Sequence, residues 1–395
     1  MTLEKATHQL TRRSNERLVL RTIYDRCPIS RADVARVTGL TRTTVSDVVE
    51  GLMSDGLAEE AGMGPSTGGK APILLHVPGD ARHLIGIDVD QDRLSGVIID
   101  LRGHVIERLS RPLAGRGGEA ALVALDGLVR SLMAAAQRPL LGVGVGTAGI
   151  VESASGVVRW AVGLDWRDVD LGERLAASSG LPVRVMNDSR AAAVAEWTFG
   201  RQPRGTSLIV VKIGQGIGAG IIVAGRLHQG DQGAAGEIGH IRVLRDGPAC
   251  RCGGRGCLEA VASLGGVLQQ ARQLAPTRPD SLLARGKVTD ASVRKAFLAG
   301  DSLAREVVLE AAAHIGHAIG AVTAALDIRD IVVVGPMTSF GERWLRVVRE
   351  EAAHSSLPSV AGRRAIRVGS VGDDGVELGA AAMLMATELG LALAA

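Results

Sequence analysis

Between Gly236 and Glu259 the chain reads Gly-Glu-Ile-Gly-His, then nine residues, then Cys-Arg-Cys-Gly-Gly-Arg-Gly-Cys-Leu-Glu. Three thiols, those of Cys250, Cys252 and Cys257, fall in one short segment with the imidazole of His240. Of the four cysteines only Cys27 lies elsewhere. Soft sulfur donors with one imidazole are the set a tetrahedral Zn²⁺ takes, and glycines after a Cys-x-Cys pair let backbone fold around an ion. Three buried thiols or a disulfide is the plainer alternative; bunching beside a histidine favours the metal. A closed set of four protein ligands leaves no position for chemistry, so the expected role is structural. The metal would stiffen a loop carrying Glu237, His240 and Glu259, polar residues that interrupt an apolar region. Such a pattern describes a ligand site propped by zinc.

Holding such a site requires a sizeable scaffold. At 395 residues the chain suffices for two or three domains with real cores. Aromatic residues make up only 2%, so those cores must be Val, Leu, Ile and Ala, and no stacking platform for single-stranded nucleic acid exists. Glycine recurs in short patterns such as GVGVGTAG and GQGIGAG, which read as turns between buried strands. The first apolar run is broken by Arg12, Arg13, Glu16 and Arg17, unlike a signal peptide. No run of about 18 apolar residues suggests a membrane span. Reduced cysteines without an export signal lead us to expect a cytoplasmic protein.

Net charge is only +3, but its distribution is uneven. Residues 1–46 hold nine basic side chains against four acidic ones, an electrostatic footprint suited to DNA. Residues 14–26 read as a helix striped by Leu18, Val19, Ile23 and Tyr24. Ser30-Arg-Ala-Asp33 has capping-box spacing and opens a short helix. Gly39-Leu40 makes a turn, and Thr41 caps a further helix to about Ser54, with Val45, Val48 and Leu52 inward. Its outer side shows Arg42, Thr43, Ser46 and Asp47, groups suited to base edges. Two helices joined by a tight glycine turn form a helix-turn-helix. A strand, a glycine-rich turn and a second strand follow (Leu57 to Val77), which makes a wing. Arg31, Thr41, Arg42, Thr43, Ser46 and Lys70 are the expected DNA contacts.

Near Pro78–Arg82 the composition changes. From Leu84 onward buried strands alternate with helices: LIGIDVD, LSGVIIDLRG, LLGVGVGTAGIV, LPVRVMND, the hairpin TSLIVVKIGQGIGAGIIVAG and Ile331–Gly335. A closing helix is expected over Leu378–Leu393. Strands alternating with helices imply an α/β fold, and two similar passes suggest two lobes with a cleft between them. The expected division is 1–80, a winged helix-turn-helix; 81–200, a first α/β lobe; and 201–395, a second lobe with the zinc site. The last helix would pack back on the first lobe.

The stretch VKIGQGIGAGIIVAGRLHQGDQGAAGEIGH followed by C-x-C-G-x-x-G-C-L-E resembles the ROK family (repressors, open reading frames and sugar kinases), in particular its regulators with a winged helix ahead of a sugar-kinase-like body. The resemblance covers essentially the whole chain. It implies an actin-like two-lobed α/β body with a sugar between the lobes. Asn187 and Asp188 match the family's Asn-Asp pair, whose aspartate is the catalytic base in the kinases. Glu237 and His240 match the sugar-binding Gly-Glu-x-Gly-His motif, and Glu259 matches the glutamate after the last zinc cysteine. Carboxylates and amides suit adjacent hydroxyls.

The resemblance also implies a phosphate loop Asp-x-Gly-Gly-Thr, where this chain has Asp88-Val-Asp90-Gln-Asp92. The glycines that admit phosphate are gone, and two extra carboxylates, Asp90 and Asp92, stand where they repel it. In the second loop, Gly214-Gln215-Gly216, glutamine replaces a usual threonine, and Gly335-Pro336 replaces a Gly-Gly pair. Met186 stands for a common glutamate, and Ala161-Val-Gly163 for Ala-Pro-Asn. The resulting expectation is a sugar-responsive transcriptional regulator, a repressor of carbohydrate-utilisation genes and not an enzyme. It would bind operator DNA as a homodimer or homotetramer, with Zn²⁺ as structural cofactor. An active ATP-dependent sugar kinase carrying a DNA-binding module is the alternative.

Overall fold

The computed structural model describes residues 8–65, 71–200, 207–355 and 365–392; Lys70 lies outside them. Three helices open the chain: α1 (His8–Arg26), α2 (Arg31–Thr38) and α3 (Arg42–Ser54). The Ser30 hydroxyl accepts from the Asp33 N–H to start α2, and Gly39, at φ 73°, ends it. Thr41 starts α3 in the same way, accepting from the Thr44 N–H.

Inward residues differ by one position from the sequence expectation in two places. In α3 the buried stripe is Val45, Val49 and Leu52, with Val48 half-buried at its flank. In α1 Val19, Leu20 and Ile23 are buried, while Leu18 stays 42% exposed. Adjacent apolar residues leave the helical phase open by a residue, and packing decides it. Strands Glu59–Met63 and Ile73–His76 pair antiparallel, and the two residues Ile29–Ser30 add to the other edge of Ile73–His76.

Beyond Pro78 one topology occurs twice. In the first sheet, strands His83–Val89, Arg93–Ile99 and Val105–Pro112 run antiparallel in sequence; Leu140–Thr147 and then Val183–Asn187 extend the sheet parallel to the first of them. In the second sheet, Leu208–Ile213, Ile217–Val223 and Arg226–His228 are antiparallel, and Asp330–Val334 and Ala365–Val368 join parallel. A small three-stranded sheet, Ile150–Glu152, Val157–Ala161 and Trp166–Val169, is an addition to the first lobe.

Helices Asp188–Phe199 and Gly375–Leu384 lie between the two sheets, the former on Leu208–Ile213 and Ile217–Val223, the latter on His83–Val89 and Leu140–Thr147. The closing helix begins three residues earlier than expected, at Gly375. Its backbone lies directly on the first sheet. A Cβ at Gly86 would stand 2.0 Å from Glu377 O, and one at Gly144 would stand 2.1 Å from Ala380 O. At the other side a Cβ at Gly379 would meet Ala191 O at 1.7 Å.

One apolar cluster joins α1 and α3 (Val19, Ile23, Val45, Leu52) to Leu84, Leu101, Leu378 and Leu384 of the body. Beside it Arg17 Nη2 donates to Thr387 O at 2.5 Å. Among the described residues, helix Ser302–Leu326 is long and apolar enough to match a membrane span, which qualifies the expectation that none would be. Val307, Ala311, Ile315 and Ile319 on it are buried in the core of the second lobe, where it packs on Glu342–His354.

Two glycines should respond to alanine with opposite signs. Gly144→Ala forces apart helix and sheet and should cost about 2–4 kcal/mol. Gly51→Ala, in the middle of α3 with nothing within 4 Å of the new methyl, should gain about 0.5–1 kcal/mol. Thermal melting checks both; a tolerated Gly144→Ala would contradict the direct backbone contact.

Candidate functional site

Strand ends and turns from both lobes meet around a cavity of about 390 Å³. The first lobe supplies Asp90, Gln91 and Gly163, and the start of helix Asp188–Phe199 supplies Asn187 and Asp188. Glu237, His240 and Glu259 complete the wall from the second lobe, together with Lys212 and Arg251. All five sugar-site residues expected from the sequence therefore line one cavity.

Local structure explains each placement. Gly236 has φ 92°, and a Cβ there or at Gly239 would strike the carbonyl of Ala219 or Ile217. The two glycines let the turn bearing Glu237 and His240 press onto strand Ile217–Val223. Glu259 lies in the first turn of the short helix Leu258–Ala262 that follows Cys257, and its Oε2 accepts from the Ile217 N–H at 3.1 Å. Asn187 ends a strand and caps the next helix: its Oδ1 accepts from Ser189 N and Arg190 N, while Nδ2 donates to Gly149 O. With its oxygen spent on capping, Asn187 has one amide N–H left for a ligand. Asp188 is engaged on both oxygens. Oδ1 accepts from the Ser189 N–H at 2.7 Å and Oδ2 from Lys212 Nζ at 2.6 Å.

Lys212 is absent from the sequence expectations. It stands in a run of Val and Ile, where a lysine reads as an edge residue with its head in water. Its partner lies 24 residues earlier, across a turn of fold that local pattern does not display. Arg251 and Gln91 were missed too; Arg251 Nη1 donates to Gln91 Oε1 at 2.7 Å, joining the cysteine loop to the first lobe. Gln91 lies over Gly163, where a Cβ would come within 2.8 Å of Oε1. Trp160 lines the same cavity. Buried Arg190 donates to the carbonyls of Gly233 and Ala235, tying down the segment before Glu237.

The charges are strongly coupled. Burial alone would raise Asp188, but Lys212 and the Ser189 N–H and hydroxyl outweigh it and hold Asp188 below its ordinary range. For Lys212 burial works against the charge, and Asp188, Asp88 and Asp90 overcome it and raise the ammonium. Burial pushes Asp88 up to about 8, with Lys212 opposing and Glu377, Asp188 and Asp90 reinforcing. Burial and repulsion from Asp188 push Glu237 up to about 7, against the pull of Arg190.

Beside the cavity, one donor atom from each of His240, Cys250, Cys252 and Cys257 lies within 4.8 Å of every other. His240 Nδ1 and Cys250 Sγ are 3.7 Å apart, as are Cys252 Sγ and Cys257 Sγ. A tetrahedron with metal–sulfur bonds of about 2.3 Å has edges of about 3.7 Å, so the group is shaped to hold a metal ion. Burial pushes the Cys257 thiol up to about 12; a cation among the sulfurs would reverse that preference. His240 can serve both neighbours. Nδ1 faces the sulfurs, and Nε2 lies 3.8 Å from Glu237 Oε2. Metal at Nδ1 would fix the proton on Nε2 as a donor toward the cavity.

The expected DNA contacts are arranged differently from one another. Arg42 and Thr43 are exposed and Ser46 half-buried on α3. Thr41 is exposed but spends its hydroxyl on capping. Arg31 is half-buried, with Nη2 against Met53 Sδ at 3.4 Å.

Duplicated lobes around a polar cleft define an α/β body built like a sugar kinase. The ROK family model matches residues 84–387, and the chain belongs to the ROK family. It is 32% identical over 390 residues to the xylose repressor of Caldicellulosiruptor bescii, covering 97% of this chain and 98% of that one. A crystal structure of a ROK family transcriptional regulator, a homologue of the Escherichia coli MLC protein, superposes with a TM-score of 0.86 at 24% identity, over 96% of this chain and 97% of that one. A ROK family glucokinase from Streptomyces griseus, in complex with glucose and AMPPNP, superposes with a TM-score of 0.70 at 28% identity, over 76% of this chain and 98% of that one.

Asp88 makes stability depend on pH. Its folded value of about 8 lies above the ordinary 3.8, so between these values the native state holds a proton that the unfolded chain releases. Its contribution to stability therefore declines as pH rises through that window. Asp88→Asn should flatten the fall in melting temperature between pH 5 and pH 8; equal slopes for the two proteins would contradict this.

Proposed function

We propose that the protein is a sugar-responsive transcriptional repressor, with residues 1–80 forming a winged helix-turn-helix and residues 81–200 and 201–395 forming the two lobes of a sensor. The observation that carries this reading is the cavity between the lobes, walled by Asn187, Asp188, Glu237, His240 and Glu259, on a chain whose α2 and α3 are two capped helices at a tight glycine turn. Carboxylates and one imidazole supply fixed acceptors and a donor for adjacent sugar hydroxyls, and Trp160 offers a face to the ring. Helix α3 enters a major groove with Arg42 and Thr43 outward, as one half of a dimer or tetramer on a symmetric operator. The full-length likeness to a xylose repressor supports the same reading.

Coupling runs through helix Gly375–Leu384. It touches the helix that begins at Asp188, and the π-helical segment Met385–Leu389 that continues it places the Thr387 carbonyl against Arg17 of α1. A sugar that draws the lobes together shifts this helix and alters the spacing of the two recognition helices. The sugar must then prefer one state, and DNA the other.

The reading excludes kinase activity as the main task. Asp188 has both oxygens engaged and a depressed pKa, which makes it a poor base for a sugar hydroxyl. The Cys/His group holds Zn²⁺, which keeps His240, Arg251 and Glu259 in place.

Binding to labelled DNA from the protein's own upstream region, at fixed salt, should change about tenfold or more with one sugar from a broad panel, roughly 1.4 kcal/mol of coupling. DNA binding that no sugar alters would sink the sensor reading. Arg42→Ala should weaken DNA binding at least several-fold without lowering the melting temperature; unchanged affinity would remove α3 from the interface. Cys250→Ala, or a strong chelator, should lower the melting temperature and abolish the sugar response together. If neither changes, zinc has no structural role here.

A further inference from the structure

We propose that Lys212 takes the place of a divalent cation: its ammonium, 2.6 Å from Asp188 and sharing the cavity with Asp90, neutralises the carboxylates that would otherwise hold a metal, and so closes the cleft to metal–nucleotide chemistry. The lysine is placed with little freedom. Its strand, Leu208–Ile213, is interior to the second sheet, with Lys212 opposite Gly218 on one side and Val334 on the other. Asp188 is equally fixed, in the first turn of a helix whose cap is Asn187. Asp88, in a strand interior to the first sheet between Gly146 and Ser95, contributes to the same electrostatic group.

Asp188 thus pairs directly with a cation drawn from the opposite lobe, and Asp90 shares the cavity with both. Without the ammonium, hard oxygens from two elements would be left in a half-buried cleft without compensation, and such a set takes Mg²⁺ or Mn²⁺. The phosphate cradle does not return with the metal. The turn after Val89 carries Asp90 and Asp92 in place of small residues, and the Pro336 ring packs 3.7 Å from the Cβ position of Gly214. Removal of the lysine should therefore restore a cation site and leave nucleotide chemistry absent. This inference stands independently of whether the protein binds DNA or sugar.

The test is Mn²⁺ binding, read from the electron paramagnetic resonance signal of free Mn²⁺ at up to ~1 mM, with the Cys/His group already loaded with zinc. Lys212→Ala should bind one Mn²⁺ at least tenfold more tightly than the unaltered protein. Adding Asp188→Asn to that variant should abolish the gain. Should Lys212→Ala fail to fold, Lys212→Gln keeps most of the stem and gives the same readout. Equal Mn²⁺ affinity with and without the lysine, or a folded variant that gains none, would overturn the proposal.

Discussion

Backbone contact between helix Gly375–Leu384 and the elements around it is the constraint on which the rest of the structure depends. Glycines at 86, 144 and 379 remove side chains where the helix meets the first sheet and the helix that starts at Asp188. Rigid elements in such contact transmit displacement, because close-packed interiors rearrange as units and do not deform smoothly. Three things are thereby held in one frame: the strand bearing Asp88, the helix that begins with Asp188, and α1 by way of Thr387 and Arg17. Ligand site and N-terminal helices are separate in sequence but share one helix in space.

The cleft itself is governed by charge. Asp90, Asp188, Glu237 and Glu259 line it against Lys212 and Arg251. A cleft with that surplus is a poor host for a triphosphate and a good one for an uncharged polyol, whose hydroxyls both donate and accept. The Cys/His group bears on this balance through geometry. His240 belongs to both the sulfur set and the cavity wall, and Arg251, between two of the cysteines, reaches Gln91 in the opposite lobe. Rigidity in the cysteine loop thus becomes definition at the mouth of the cleft.

Much of this was legible in the sequence where the signal was local. Ser30 with Asp33, Thr41 at the head of α3, and the Cys/His spacing each declare themselves locally, and the α/β alternation follows from buried apolar runs. Glu237, His240 and Glu259 stood out as polar residues interrupting an apolar region beside the cysteines, whereas Asn187 and Asp188 were found through family resemblance, since an Asn-Asp pair alone reads as a helix cap, which is indeed the local role of Asn187. Illegible features depend on distance. Lys212 meets Asp188 across 24 residues and Arg251 meets Gln91 across 160, and neither pair leaves a periodic trace. Strand Val105–Pro112 escaped because it is an edge strand with mostly exposed residues, so no apolar run marks it. Val48 and Leu18 were misplaced by one residue for a related reason: helical phase in a run of adjacent apolar residues is set by packing.

In the proposed function, sugar in the cleft and DNA on α3 bias the same two-state body. Linkage makes that bias reciprocal. Sugar affinity should therefore be measured calorimetrically on the free protein and again on the protein saturated with its operator. The account predicts weaker sugar binding, by about tenfold, in the DNA-bound protein; equal affinities in the two states would contradict it.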